Sequence, residues 1–172
     1  EDSGYKMGMT TEGQTDLTTA RLLKANCDRW PDKVWMRKKE LGFWKNYTWK
    51  EGYEQVRHFS LGLIALGFQR GDVLAILGDN DPHWFWAELA AQAAGGAVTG
   101  VFSNSSPNEV KYLIQHSDSA FVVAQDQEQV DKLLSIKGDL PLVKRIIYWI
   151  PKGLKHYDDE ILTSFDVVLE AG

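Results

Sequence analysis

Apolar runs and amphipathic stretches follow one another along the chain in a regular order. Four strand-like runs begin at Val73 (VLAIL), Ala97 (AVTGV), Ala120 (AFVVA) and Arg145 (RIIYW), at intervals of 24, 23 and 25 residues. None alternates apolar with polar, the pattern of strands buried on both faces in a parallel sheet. Helical patterns fill the gaps at 82–94, 107–117 and 127–134. Ser106-Pro107-Asn108-Glu109 combines a capping box with proline at the first helical position, and Asp81-Pro82 opens the preceding helix similarly. Strands alternating with helices predict an α/β, Rossmann-like fold, a mostly parallel sheet with helices on both faces and right-handed crossovers.

Upstream, residues 17–29 place Leu22, Leu23 and Ala25 at helical spacing, and Trp30-Pro31-Asp32 ends the pattern. Short aromatic and β-branched runs at 34–38 and 43–48 flank Leu41-Gly42, which predicts a β-hairpin. Thr48-Trp49-Lys50-Glu51 is a second capping box. The helix it opens carries Tyr53, Val56, Ser60 and Leu63 on one stripe, turns Lys50, Glu54 and Arg57 outward, and ends near Gly67. Residues 1–16 are polar, rich in Gly and Thr and without period, so a flexible arm is expected before a folded part at 17–172. At the other end, 151–159 reads as a loop and Ser164 as the cap of a last helix, expected to need a surface that the chain does not supply.

With 44% apolar and 25% charged residues the chain has the composition of a folded protein. Its net charge of -5 argues against a nucleic-acid partner, whose binding face is basic. The lone Cys27 has no partner for a disulfide within the chain. The stretch 84–102 is interrupted by Glu88, Gln92 and Thr99, so it reads as a buried helix and strand rather than a membrane span. No signal-peptide pattern opens the sequence, and a cytoplasmic location is the expectation. The sequons at Asn46 and Asn104 then read as accidental, and Arg70-Gly71-Asp72 as a turn.

Candidate chemistry is sparse. Gly78-Asp79-Asn80 follows the first parallel strand and precedes a helix, where α/β sheets bind ligands, but the spaced glycines of a dinucleotide site and the phosphate loop are both missing. A tight turn with a helix cap is the plainer reading. Gly95-Gly96 fits close packing of helix on sheet. His58, His83, His116 and His156 show no metal-ligand spacing, Cys27 has no activating histidine beside it, and Asp158-Asp159-Glu160 reads as a solvated run. Trp84-Phe85-Trp86 cannot point three rings one way. Core packing is the favoured reading, with an exposed aromatic platform as the alternative.

Several segments in order are similar to the early N-terminal domain of AMP-forming acyl-CoA synthetases, in the adenylate-forming superfamily. They are 66–80 (LGFQRGDVLAILGDN), 84–96 (WFWAELAAQAAGG), 107–117 (PNEVKYLIQHS), 125–134 (QDQEQVDKLL) and 149–154 (WIPKGL). The hairpin Leu41-Gly42-Phe43-Trp44 and the Trp-rich helix look most like the bacterial long-chain fatty acid–CoA ligase branch. The resemblance implies a parent enzyme that joins a fatty acid to ATP, releases pyrophosphate and passes the acyl group from AMP to CoA, with Mg, ATP and CoA as its cofactors. It implies that this chain is an incomplete, first part of the larger AMP-binding domain. The family's Ser/Thr/Gly-rich loop ending in Pro-Lys-Gly is absent from the 172 residues, so no catalytic, nucleotide-binding or metal-binding residue is carried over. An inactive scaffold piece is expected, with no cofactor held tightly, and its partner expectations are the parent's fatty acid, peripheral membrane contact and a homodimer or self-association. The alternatives are a medium-chain or aryl-acid branch of the same superfamily, or a stand-alone Rossmann-like binding module using the turn at 78–80.

Overall fold

The computed structural model describes residues 18–172, and the arm expected at 1–16 lies outside the described residues. Helix α1 (Thr19–Arg29) starts where the Thr18 hydroxyl accepts from the Arg21 N–H at 3.3 Å. An antiparallel hairpin follows, β1 (Val34–Glu40) and β2 (Phe43–Thr48), with Lys39 opposite Trp44 and Glu40 opposite Phe43. Its turn residues Leu41 and Gly42 have φ of 47° and 88°, the left-handed pair that a two-residue connection needs. A leucine in that region is strained by about 1–2 kcal/mol.

Both arms of the predicted capping box open α2 (Trp49–Ala65): the Glu51 N–H donates to Thr48 Oγ1 at 3.2 Å and the Thr48 N–H to Glu51 Oε2 at 2.7 Å. The helix closes as a Schellman turn, with Gly67 at φ 92° and the Phe68 N–H donating to the Leu63 carbonyl at 2.9 Å.

Five parallel strands then form one sheet: β3 (Val73–Leu77), β4 (Ala97–Val101), β5 (Ser119–Ala124), β6 (Arg145–Tyr148) and β7 (Leu162–Ser164), in the order β4-β3-β5-β6-β7. Helices α3 (Pro82–Ala93), α4 (Pro107–His116) and α5 (Gln127–Ile136) connect them, and α6 (Phe165–Glu170) follows β7. Side chains of β3 divide by parity between two cores. Leu74 and Ile76 meet Phe59, Leu63, Trp86 and Phe165 from α2, α3 and α6, while Ala75 and Leu77 meet Val110, Val130 and Leu133 from α4 and α5. The α/β architecture read from the sequence is present, with helices on both faces.

Two features differ from expectation. β7 was hidden in the pattern because three residues cannot show a period, and only its pairing with β6 makes it a strand. The last helix does not lack a surface. Phe165 stacks on Phe59 with ring centroids 3.9 Å apart, Val168 is fully buried, and α6 lies along α2. The approach is backbone to backbone, because a Cβ on Gly62 would lie 1.9 Å from the Val168 carbonyl oxygen. No described helix is long and apolar enough to cross a membrane.

Gly62→Ala is therefore expected to lower stability by about 1–3 kcal/mol through overpacking. Urea unfolding would show an earlier midpoint at constant slope, and an unchanged midpoint would refute the close α2–α6 contact.

Candidate functional site

Ligands of open parallel sheets bind beyond the carboxyl ends of the strands, where successive connections leave toward opposite faces. Here β3 leads into α3 on one face, whereas its neighbours β4 and β5 lead into α4 and α5 on the other. Gly78-Asp79-Asn80 occupies that divergence. The Asp79 N–H donates to Gln125 Oε1 at 2.7 Å, and its carboxylate accepts from the Ser103 hydroxyl at 2.5 Å. Lys132 donates to the Ser103 carbonyl at 2.6 Å and pairs with Glu128 at 3.0 Å. Three strand ends are thus laced together by side chains that lie far apart in sequence.

A shallow groove of about 150 Å³ runs beside the turn, lined by Gly78, Asn80, Trp84, Gly100, Val101 and Phe102. The three aromatic rings at 84–86 diverge: Trp86 is buried in the core, Trp84 lines this groove, and Phe85 lines a larger one of about 510 Å³ toward the hairpin. The indole N–H groups of Trp86 and Trp149 are buried without a hydrogen-bond partner.

The most strongly perturbed group lies one residue past the turn. Asp81 caps α3 by accepting from the His83 N–H at 3.0 Å, and its two oxygens also meet His83 Nδ1 at 2.6 Å and Lys38 Nζ at 2.7 Å. Burial raises the pKa of this carboxyl, but the hydrogen bonds from His83 and Lys38 outweigh it and hold the value at about 2. The His83 ring packs edge-on against Trp86 and Phe165 and parallel to Trp149. The Asp-Pro-His order at the helix start was visible in the sequence. Lys38, arriving from the hairpin, had no local signal, nor did Ser103 and Gln125.

The remaining candidates are scattered. His58 pairs with Glu54 at 3.7 Å on α2, His116 stacks on Tyr112 on α4, and His156 lies on an exposed loop. Cys27 is buried, which pushes its thiol pKa up and away from the reactive thiolate. Asp159 pairs with Lys137, which lowers its pKa, and among the described residues no group of three His, Cys, Asp or Glu side chains could hold a metal ion. Gly96 lies against the Phe68 ring and the Asp72 carbonyl, so that a Cβ would approach both within 2.6 Å. Nor do the residues of this edge fit a magnesium nucleotide. It presents two carboxylates, the Asp79 amide and the first-turn amide of α3 are taken by side chains, and Lys132 is committed to Ser103 and Glu128.

The model of the AMP-binding enzyme family matches residues 23–164, and the chain belongs to that family. Over 86% of its length it is 30% identical to the long-chain-fatty-acid–CoA ligase ACSBG2 of Xenopus laevis, and over 79% it is 29% identical to ACSBG1 of Bos taurus. A 35% identity to the ligase heimdall of Drosophila melanogaster covers 60% of the chain. The chain spans only 20% and 19% of the length of the first two relatives, and 15% of the third. Among solved structures, the acetoacetyl-CoA synthetase of Streptomyces lividans superposes over 89% of this chain and 25% of its own, with TM-score 0.79 and 20% identity. The anthranilate CoA ligase AuaEII, solved with anthranoyl-AMP, covers 91% of this chain and 29% of its own, with TM-score 0.76 and 18% identity.

A carboxyl whose pKa is depressed on folding contributes stability above its ordinary pKa and loses it as the pH falls through the folded value. Asp81 is accordingly expected to contribute about 2 kcal/mol at neutral pH, lost between about pH 4 and pH 2. Urea unfolding across that range should show a steeper loss in the parent chain than in Asp81→Asn, which starts less stable. Parallel profiles would overturn the assignment.

Proposed function

We propose that residues 17–172 form the first part of the adenylation domain of a long-chain fatty acid–CoA ligase. The parent enzyme would condense a fatty acid with ATP, release pyrophosphate, and transfer the acyl group from AMP to CoA. The observation that carries this reading is the 30% identity to a ligase named for long-chain fatty acids, extending over 86% of the chain. The chain's own residues supply a sheet, two helical layers and a braced strand edge against which the remainder of the active site is built. ATP, Mg and CoA bring the activating and acyl-accepting chemistry to the parent, and no step of it is assigned to a residue here. Lacking the phosphate-binding loop, the chain alone is inert, and a cytoplasmic location fits a fatty acid activated for metabolism.

One observation favours a second reading, a self-contained binding module. The closing of α6 onto α2 buries Phe165 and Val168 in the core that α2 and α3 share with the sheet. Fatty-acid-dependent ATP–pyrophosphate exchange separates the readings. The parent protein should exchange with palmitate at least tenfold faster than with octanoate or anthranilate, and the 172-residue chain should show no exchange. Turnover by the chain itself would refute the scaffold role, and a preference for the aryl or shorter acid would move the parent to another branch.

A further inference from the structure

The side chain of Lys132 is only 16% exposed, and all three N–H groups of its ammonium are used. One donates to the Ser103 carbonyl at 2.6 Å, one to Gln129 Oε1 at 3.2 Å, and one pairs with Glu128 at 3.0 Å. Gln129 is itself buried, so the ammonium is held from within α5 while it reaches a loop after β4. An apolar side chain of similar length would cover this part of α5 without desolvating a charge, and such replacements are often neutral or better for stability. Folding alone gives little reason for a lysine here. The bonds beyond it form a ring. Lys132 holds the Ser103 main chain, the Ser103 hydroxyl donates to Asp79 at 2.5 Å, and the Asp79 N–H donates to Gln125 at 2.7 Å. The chain then runs from Gln125 into α5 and back to Lys132. Each corner belongs to a different connection: Ser103 follows β4, Asp79 follows β3 and Gln125 follows β5. A Cβ on Gly78 would lie 2.5 Å from the Trp149 ring, so the turn also sits hard against the residue that follows β6.

We infer that Lys132 and Asp79 are positioning residues for the parent's reaction, acting as one unit through Ser103. The inference rests on the ligase reading of the parent and on no exposed surface. Ligands of such sheets bind beyond the carboxyl ends of the strands, so the relative placement of these three connections sets where bound groups can lie. A displacement of about 1 Å is enough to slow a reaction about a hundredfold, and neither residue need touch a reacting group to cause it. A closed ring constrains each member from two sides, and either loss opens it. Without Lys132 the Ser103 main chain is released, and without the Asp79 carboxylate the same residue is released from the other side. The two losses therefore do not add. Glu128 is 72% exposed and stands outside the ring, so its pair with Lys132 contributes little.

The test is carboxylate-dependent ATP–pyrophosphate exchange by the parent protein, with whichever acid it activates fastest. Lys132→Met and Asp79→Ala should each lower kcat/KM about tenfold. The double variant should lose about the same tenfold, where independent sites would lose about a hundredfold. Asp79→Asn keeps an acceptor for the Ser103 hydroxyl and should recover most of the loss seen in Asp79→Ala. Amide hydrogen exchange on the 172-residue chain gives a second readout. Lys132→Met should speed exchange of the Asp79 amide about tenfold or more, although the N–H groups of Lys132 all go elsewhere, and should leave the β5 amides protected. Losses that multiply, an unaltered Asp79 amide, or an Asp79→Asn variant as slow as Asp79→Ala would overturn the inference. So would loss of β5 protection in Lys132→Met, because the lysine would then hold the whole fold and not the edge. A parent that activates no carboxylic acid would refute the ligase reading, and the Asp79 amide would still report whether the ring is coupled.

Discussion

Strands β3 and β5 carry no polar face, and the rest of the molecule is arranged around that constraint. All six residues of β5 are buried, and the strand lies between β3 and β6 at the middle of the sheet. Water can therefore be tolerated on neither side of it. Covering one face requires α2, α3 and α6, covering the other requires α4 and α5, and each helix presents the apolar stripe its sequence spacing provides. Two cores result, separated by a single sheet, and each strand residue is committed to one by its parity alone.

The carboxyl edge of this sheet is a braced platform rather than a formed pocket. Asp79, Ser103, Gln125 and Lys132 lace three strand ends, while Asp81 joins the hairpin to α3 through Lys38. His83 holds its place in that joint both by its bond to Asp81 and by packing against three aromatic rings. Two solved structures that share only 18% and 20% of its residues superpose on this chain with TM-scores of 0.76 and 0.79, a likeness of fold.

Local rules made most of the frame legible. Both capping boxes, the spacing of the long apolar strands and the tight turn at Leu41-Gly42 each depend on residues within a few positions of one another. β7 escaped because three residues carry no period, and the seat of α6 escaped because Gly62 and Val168 are brought together only by the folded chain. At the site, the cap at Asp81 was readable from Asp-Pro, but its low pKa was not. That property depends on burial outweighed by hydrogen bonds from His83 and from Lys38, and Lys38 sits on β1, separated in sequence from Asp81 by β2, α2 and β3. The phosphate-loop question was answerable from the sequence because it concerns a contiguous motif.

The order β4-β3-β5 also governs how the sheet is assembled. Leu74 pairs with Val98 on one side and with Phe121 on the other, so β3 receives its nearer partner early and its more distant one only after α4 has crossed over. Closing the longer loop carries the larger entropy, and non-local parallel pairing is the slower step. The central strand β5 contributes to both cores, Phe121 and Val123 to one and Val122 and Ala124 to the other.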